Sequence, residues 1–273
     1  MKKSSTAYPY SLWALLFTVI PLVMVLVYSV YDRETGTFTL EFIMRCFKPQ
    51  YLKVILYSFK VALYCTVICL VLGYPIALIL SGTNFKRKNT LMFLVIAPMW
   101  MNFLLRTYAW LTILETNGVL NRLLSLFGLG PYKFLYNEGA VLLGMVYNYL
   151  PFMILPIYTV LEKIDKSVVQ ASSDLGANKL QTFVKIIFPL SMPGVYSGIA
   201  MVFMPAVTTF VITKLLGGGQ QNMIGNIIEE QFMLANNWGF GSALSLLLMI
   251  VILISMAISD KLNPEESQGG GLF

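Results

Sequence analysis

Six long apolar runs decide what this chain can become. They cover residues 12–30, 61–80, 91–113, 139–161, 193–213 and 243–259, and Arg106 is the only charged residue inside them. About 20 helical residues, at about 1.5 Å each, cross the roughly 30 Å hydrocarbon layer of a bilayer. Lipid offers no partner to a free backbone N–H or C=O, so such runs cross as helices; the two-residue alternation of a membrane barrel is absent. The expected fold class is all-α integral membrane, with six transmembrane helices in a single membrane domain over residues 1–263. Composition agrees, since 57% of the 273 residues are hydrophobic and 12% are charged, about half the charged share of a soluble domain.

After Lys2 and Lys3 the uncharged stretch continues to Tyr31. That is too long for the apolar part of a cleavable signal and has no Ala-x-Ala site, so the first run is expected to stay as a span. The polar, Gly-rich tail at 264–273 is expected to be disordered. Net charge is +6, but the basic residues form short clusters between the runs rather than one surface, which points to membrane orientation and away from nucleic acid. If the N-terminus is cytoplasmic, Lys2, Lys3, Lys86, Arg87, Lys88, Lys163, Lys166, Lys179, Lys185 and Lys261 fall inside and outnumber the cations outside. Both termini are therefore expected in the cytoplasm.

Missing residue types narrow the function. The chain has no His, which removes His acid/base chemistry, Ser/His/Asp triads and most zinc sites. Cys46, Cys65 and Cys69 are an odd set within or beside apolar runs and read as small buried hydrophobes. No acid lies inside any run, so the titrating carboxylate a proton-coupled transporter needs is absent. Gly217, Gly218 and Gly219 precede Gln220 and Gln221 without the lysine of a phosphate loop. No catalytic residue, metal site or cofactor is expected in this chain; if ATP drives it, ATP and Mg belong to another subunit. Pro21, Pro75, Pro98, Pro151, Pro156 and Pro205 lie within runs, where each frees a carbonyl, either as a packing kink or to line a polar path.

The connector at 162–192 is too patterned for a linker. Ser167 is suited to cap a short helix, Val168, Ala171 and Leu175 share one apolar stripe, and Gly176 suits a left-handed stop. A second short helix carries Leu180, Phe183, Val184 and Ile187 until Pro189, which is expected to interrupt it. Gln170-Ala171-Ser172, Gly176, Ile186 and Phe188-Pro189 reproduce the spacing of the EAA loop of ABC importer permeases, with Gln for Glu, Ser for the second Ala and Phe for Leu. The text from Tyr147 through this loop, the stretch APMWMNFLLRTYAW from Ala97, and the segment around Gly225 and Asn226 resemble the spermidine/putrescine permeases of the PotB type.

That resemblance implies a type I ABC importer permease (MetI-like) fold in a bacterial cytoplasmic membrane. It implies a second permease of the PotC type, an ATPase homodimer of the PotA type that binds ATP and Mg, and an extracytoplasmic polyamine-binding protein of the PotD type. It also gives Gln170, Ala171, Ser172, Asp174, Leu175, Gly176 and Pro189 a role in coupling to the ATPase. A polyamine path calls for carboxylates at its mouth and aromatic faces or carbonyls deeper in. The candidates are Trp100, Asn102, Tyr147, Asn148 and Tyr149 along the path and Glu229 and Glu230 at the outer mouth or receptor-docking surface; packing, or anchoring at the lipid interface, is the plainer role for the aromatics. Ile224, Ile227, Ile228, Phe232 and Ala235 recur at helical spacing, so Glu229 and Glu230 are expected on a short helix lying on the outer surface. Arg106 is assigned to structure or gating. Two other functions remain open: an ABC permease for an inorganic anion or ferric ion, and an ATP-independent secondary transporter.

Overall fold

The computed structural model describes residues 12–33, 35–82 and 85–262, the side chains of 85–87 and 258–262 excepted. Lys2, Lys3, the tail at 264–273 and the side chains of Lys86, Arg87 and Lys261 therefore lie outside the description. The described chain is helical: α1 (Leu12–Tyr28), α2 (Glu41–Cys46), α3 (Pro49–Gly82), α4 (Phe85–Trp100), α5 (Phe103–Leu114), α6 (Val119–Leu126), α7 (Glu138–Lys163), α8 (Lys166–Asp174), α9 (Lys179–Thr208), α10 (Val211–Leu216), α11 (Ile224–Met233) and α12 (Trp238–Leu262).

Helices α3, α7 and α9 pack on one another as the central bundle. Val61, Ala62, Cys65 and Cys69 of α3, Met145, Met153 and Ile157 of α7, and Val202 and Ala206 of α9 are closed off from solvent. The three cysteines are free and buried. Lipid supplies no hydrophobic drive between helices, so close backbone approach at small residues holds such bundles together. Gly194 is an example within the bundle: a Cβ there would stand 2.7 Å from the Pro156 carbonyl oxygen and 3.0 Å from the Ile157 Cα. Around this bundle, α12 packs on α1, α2 and α11, and α10 packs against α5 and α7. Arg33 lies over the Tyr28 ring at 4.5 Å and the Trp238 ring at 5.9 Å, tying the end of α1 to the start of α12.

Two of the six expected spans are not continuous helices. The run at 91–113 divides into α4 and α5, and the arm Lys88–Trp100 bends by 95° from the arm Phe103–Leu126, which holds α5 and α6. Asn102 makes the break by capping α5, its Oδ1 accepting from the N–H groups of Leu104 at 2.8 Å and Leu105 at 3.3 Å. The run at 193–213 ends its first helix at Thr208; Thr209 is extended and α10 starts afresh at Val211. Helices α3, α7, α9 and α12 are each long and apolar enough to cross a membrane, and the two bent arms Lys88–Trp100 and Phe103–Leu126 pass only if taken together.

Pro189 does not interrupt its helix. The segment Phe183–Ile187 widens to π geometry, with the Phe188 N–H donating to the Phe183 carbonyl five residues back. That wider turn accommodates the ring, which would otherwise clash with a carbonyl four residues earlier. Pro21 in α1 follows the same arrangement, with Leu15–Val19 in π geometry and the Ile20 N–H donating to Leu15.

Candidate coupling elbow and cation path

Helix α8 and the first turns of α9 form an elbow. Its N-cap is Asp165 rather than Ser167: the Asp165 Oδ1 accepts from the Ser167 N–H at 2.9 Å. That bond, with the Ser167 hydroxyl, holds the Asp165 carboxyl below its ordinary range. Gly176 follows the helix at φ +81, the left-handed region a Cβ disfavours. The chain re-enters helix through a reciprocal cap in which Asn178 and Gln181 each accept the other's backbone N–H at 2.9 Å.

Ser172 is buried on the inside of the elbow, where its hydroxyl meets the Thr182 hydroxyl at 2.9 Å. Gln170, Ala171, Asp174 and Leu175 face outward, and Leu175 is 88% exposed. Val168, Leu180 and Val184 are exposed too. The elbow thus closes on a polar clasp; Phe183 packs inward on the Tyr74 ring at 5.9 Å and Ile187 packs on the core, while Ala171, Leu175, Leu180 and Val184 stay exposed. The clasp escapes sequence reading because Ser172 and Thr182 lie ten residues apart across a turn. The Asn178/Gln181 cap does have a signal, a cap residue followed three places later by Gln.

The path candidates are spread over the end of α4, the α4–α5 break and one turn of α7. Trp100 is 76% exposed at the end of α4, with Phe93 as its ring neighbour at 6.1 Å; Asn102 is the helix cap described above. On α7, Tyr147 meets the Trp110 ring of α5 at 5.4 Å, and the Tyr149 hydroxyl donates to the Pro205 carbonyl of α9 at 3.3 Å. Asn148 is 1% exposed; its Nδ2 donates to Gly144 at 2.8 Å while its Oδ1 has no partner among the described residues. Successive helical residues point about 100° apart, so these three address three directions. No hydrogen bond or ring contact among the described residues joins Trp100 or Asn102 to them. Arg106 is buried in α5, and its Nε and Nη1 have no partner among the described residues.

Glu229 and Glu230 lie on α11, as the periodicity predicts, and that helix is anchored at one end. Its first turn, Ile224, Gly225 and Asn226, is buried. Asn226 accepts from the Thr213 hydroxyl at 2.7 Å and the Met223 N–H at 3.0 Å and donates to the Phe210 carbonyl at 3.0 Å, fixing α11 to the break between α9 and α10. Glu229 pairs with Lys214 at 2.8 Å, while Glu230 is exposed. A second polar knot joins Lys60 to Glu138 at 3.1 Å, and Tyr57 to both Glu138 and Gln221, anchoring the loop after α10.

Residues 70–268 match the family model described as "Binding-protein-dependent transport system inner membrane component". The chain is 41% identical over 247 residues to the spermidine/putrescine transport system permease protein PotB of Escherichia coli (strain K12), covering 88% of this chain and 90% of that one. The protein of that name from Haemophilus influenzae is 38% identical, covering 92% and 90%. In fold, the chain is similar to a bacterial ABC transporter involved in the import of the acidic polysaccharide alginate, with a TM-score of 0.79 at 16% identity over 95% of this chain and 94% of that one. The chain belongs to the family of binding-protein-dependent transport system inner membrane components and is a permease subunit of an ABC transporter.

Proposed function

We propose that this chain is one of two channel-forming permeases of an ATP-driven importer that carries spermidine and putrescine into the cytoplasm. The observation that carries the substrate class is the 41% identity to a spermidine/putrescine permease over 88% of the chain. Its partners are a second permease of the PotC type, an ATPase homodimer of the PotA type holding ATP and Mg, and an extracytoplasmic binding protein of the PotD type. Both termini are cytoplasmic, which puts the elbow beside the ATPase.

The elbow supports this arrangement by its chemistry. Ala171, Leu175, Leu180 and Val184 form an apolar surface without a cover in this chain, suited to a groove of the ATPase, with Gln170 and Asp174 at its polar margin. Gly176 and the Ser172–Thr182 clasp keep the two arms in one geometry, so movement of α8 passes into α9 through the helical stretch around Pro189. The path and the outer mouth draw on Trp100, Asn102, Tyr147, Asn148, Tyr149, Glu229 and Glu230, with receptor-held substrate entering from outside.

The test is ATP-dependent spermidine uptake by the four-subunit complex in liposomes. A Leu at position 176 must adopt a left-handed conformation at a cost of about 1–2 kcal/mol. Gly176→Leu is expected to abolish uptake while the receptor still binds spermidine. Normal uptake by this variant would overturn the coupling role, and absence of spermidine uptake by the unaltered complex would overturn the substrate.

A further inference from the structure

The acid that the sequence places outside every span is folded back against the interior of one. Ile228, Glu229 and Phe232 of α11 share an open trough with Phe210 at the α9–α10 break and with Leu248 and Ile252, which lie well inside α12; its volume is about 480 Å³. Its walls are almost wholly apolar side chains, two of them aromatic, and Glu229 is its only acid. The carboxylate already holds one cation. Lys214 reaches it at 2.8 Å, with its own side chain 56% exposed.

We infer that the trough beside Glu229 is a subsite for one end of an aliphatic polyamine, with a primary ammonium on the Glu229 carboxylate and the methylene chain along the apolar wall. This rests on the polyamine reading proposed above. The bound Lys214 shows the chemistry required: four methylenes ending in an ammonium, the same groups a polyamine terminus presents. Phe210 and Phe232 add ring faces suited to a cation. Because Lys214 is tethered and largely solvated, an incoming ammonium replaces it one charge for one, and its return displaces the substrate. Such exchange keeps binding weak enough for onward movement, which conduction demands.

The experiment uses the assembled four-subunit importer carrying Met233→Cys, a residue on the rim of the trough that is 76% exposed. Cys46, Cys65 and Cys69 are each 0% exposed, so a polar maleimide followed on this subunit's own gel band reads position 233. Spermidine is expected to slow labelling in a saturable way. Adding Glu229→Gln should raise the half-protecting concentration about tenfold, since the amide keeps the shape but loses the charge that the ammonium pairs with. Adding Lys214→Gln should lower it about threefold by removing the competing exposed ion pair. Labelling that spermidine leaves unchanged, in a complex that still takes up spermidine, would overturn the subsite and spare the polyamine reading. Cross-linking of position 233 to the second permease, with no labelling at any spermidine concentration, would assign the trough to a subunit interface instead. A complex that takes up no spermidine at all would fail at the earlier step, the substrate itself.

Discussion

A guanidinium withdrawn from water is expensive unless an acid or several carbonyls face it. Arg106 is 7% exposed, with Nε and Nη1 unpartnered among the described residues. Trp110 lies one helical turn further along the same face of α5 and touches Tyr147, whose neighbour Asn148 carries an unpartnered Oδ1. A buried donor and a buried acceptor thus sit on two packed helices without a bond to each other. Replacing a buried charge that lacks a partner by an apolar side chain of similar length removes a desolvation cost and orphans nothing. Arg106→Met is therefore expected to leave the thermal unfolding midpoint of the detergent-solubilised chain unchanged or to raise it, a gain of about 1–4 kcal/mol at most. A clear fall in that midpoint would mean that the guanidinium is satisfied by a group this conformation does not bring to it. Little of this was legible beforehand. The apolar run revealed that Arg106 is costly, but not whether it escapes to the interface, because that depends on the 95° bend before it.

The end of α7 that leads into the elbow is held to α4 by a polar tie. Lys88 of α4 hydrogen-bonds to Glu162 near the end of α7. That bond holds the Glu162 carboxyl below its ordinary value and, with the Tyr158 hydroxyl, holds the Lys88 ammonium above its own. The tie is thus fully formed between the ordinary carboxylate and lysine ranges. It is lost as the pH falls through the lowered value of Glu162, and on the alkaline side as the pH rises through the raised value of Lys88. Spin labels at the adjoining ends of α4 and α7 should report a broader distance distribution below the carboxylate range, and the same broadening at neutral pH in about 1 M salt, where screening acts over about 3 Å. A distribution indifferent to both would show that packing alone fixes the two ends. The sequence pattern was a good guide to the two arms and to Gly176, since amphipathic spacing and a left-handed stop are local. It favoured Ser167 over Asp165 as the cap because both residue types cap well, and only the extended backbone at Asp165 decides between them. It read Pro189 as a stop because the π turn that absorbs the ring has no composition of its own.

Hydropathy finds stretches that prefer lipid, but it does not detect whether the helix within them is continuous, which is why six runs became three uninterrupted long helices, a fourth that ends within its run, one bent pair and a shorter apolar helix. The two breaks carry polar groups: exposed Asn102 caps α5 at one, and the Phe210 carbonyl meets buried Asn226 at the other. The bundle of α3, α7 and α9 carries the rigidity these breaks forgo. Helix α1, by contrast, buries none of its own residues; Phe17 is 67% exposed and Leu22 46%. Stability should follow this division. Gly194→Leu must push against the backbone of α7 at Pro156 and Ile157, which no rotamer relieves, and overpacking of that kind costs about 1–3 kcal/mol or more. Phe17→Ala and Leu22→Ala leave no cavity in this chain, so each should shift its unfolding midpoint little when the detergent-solubilised permease is studied alone. The same two substitutions in the assembled importer separate two environments for α1. An unchanged midpoint means that lipid covers the helix, whereas a loss that appears only on assembly means that a second subunit does.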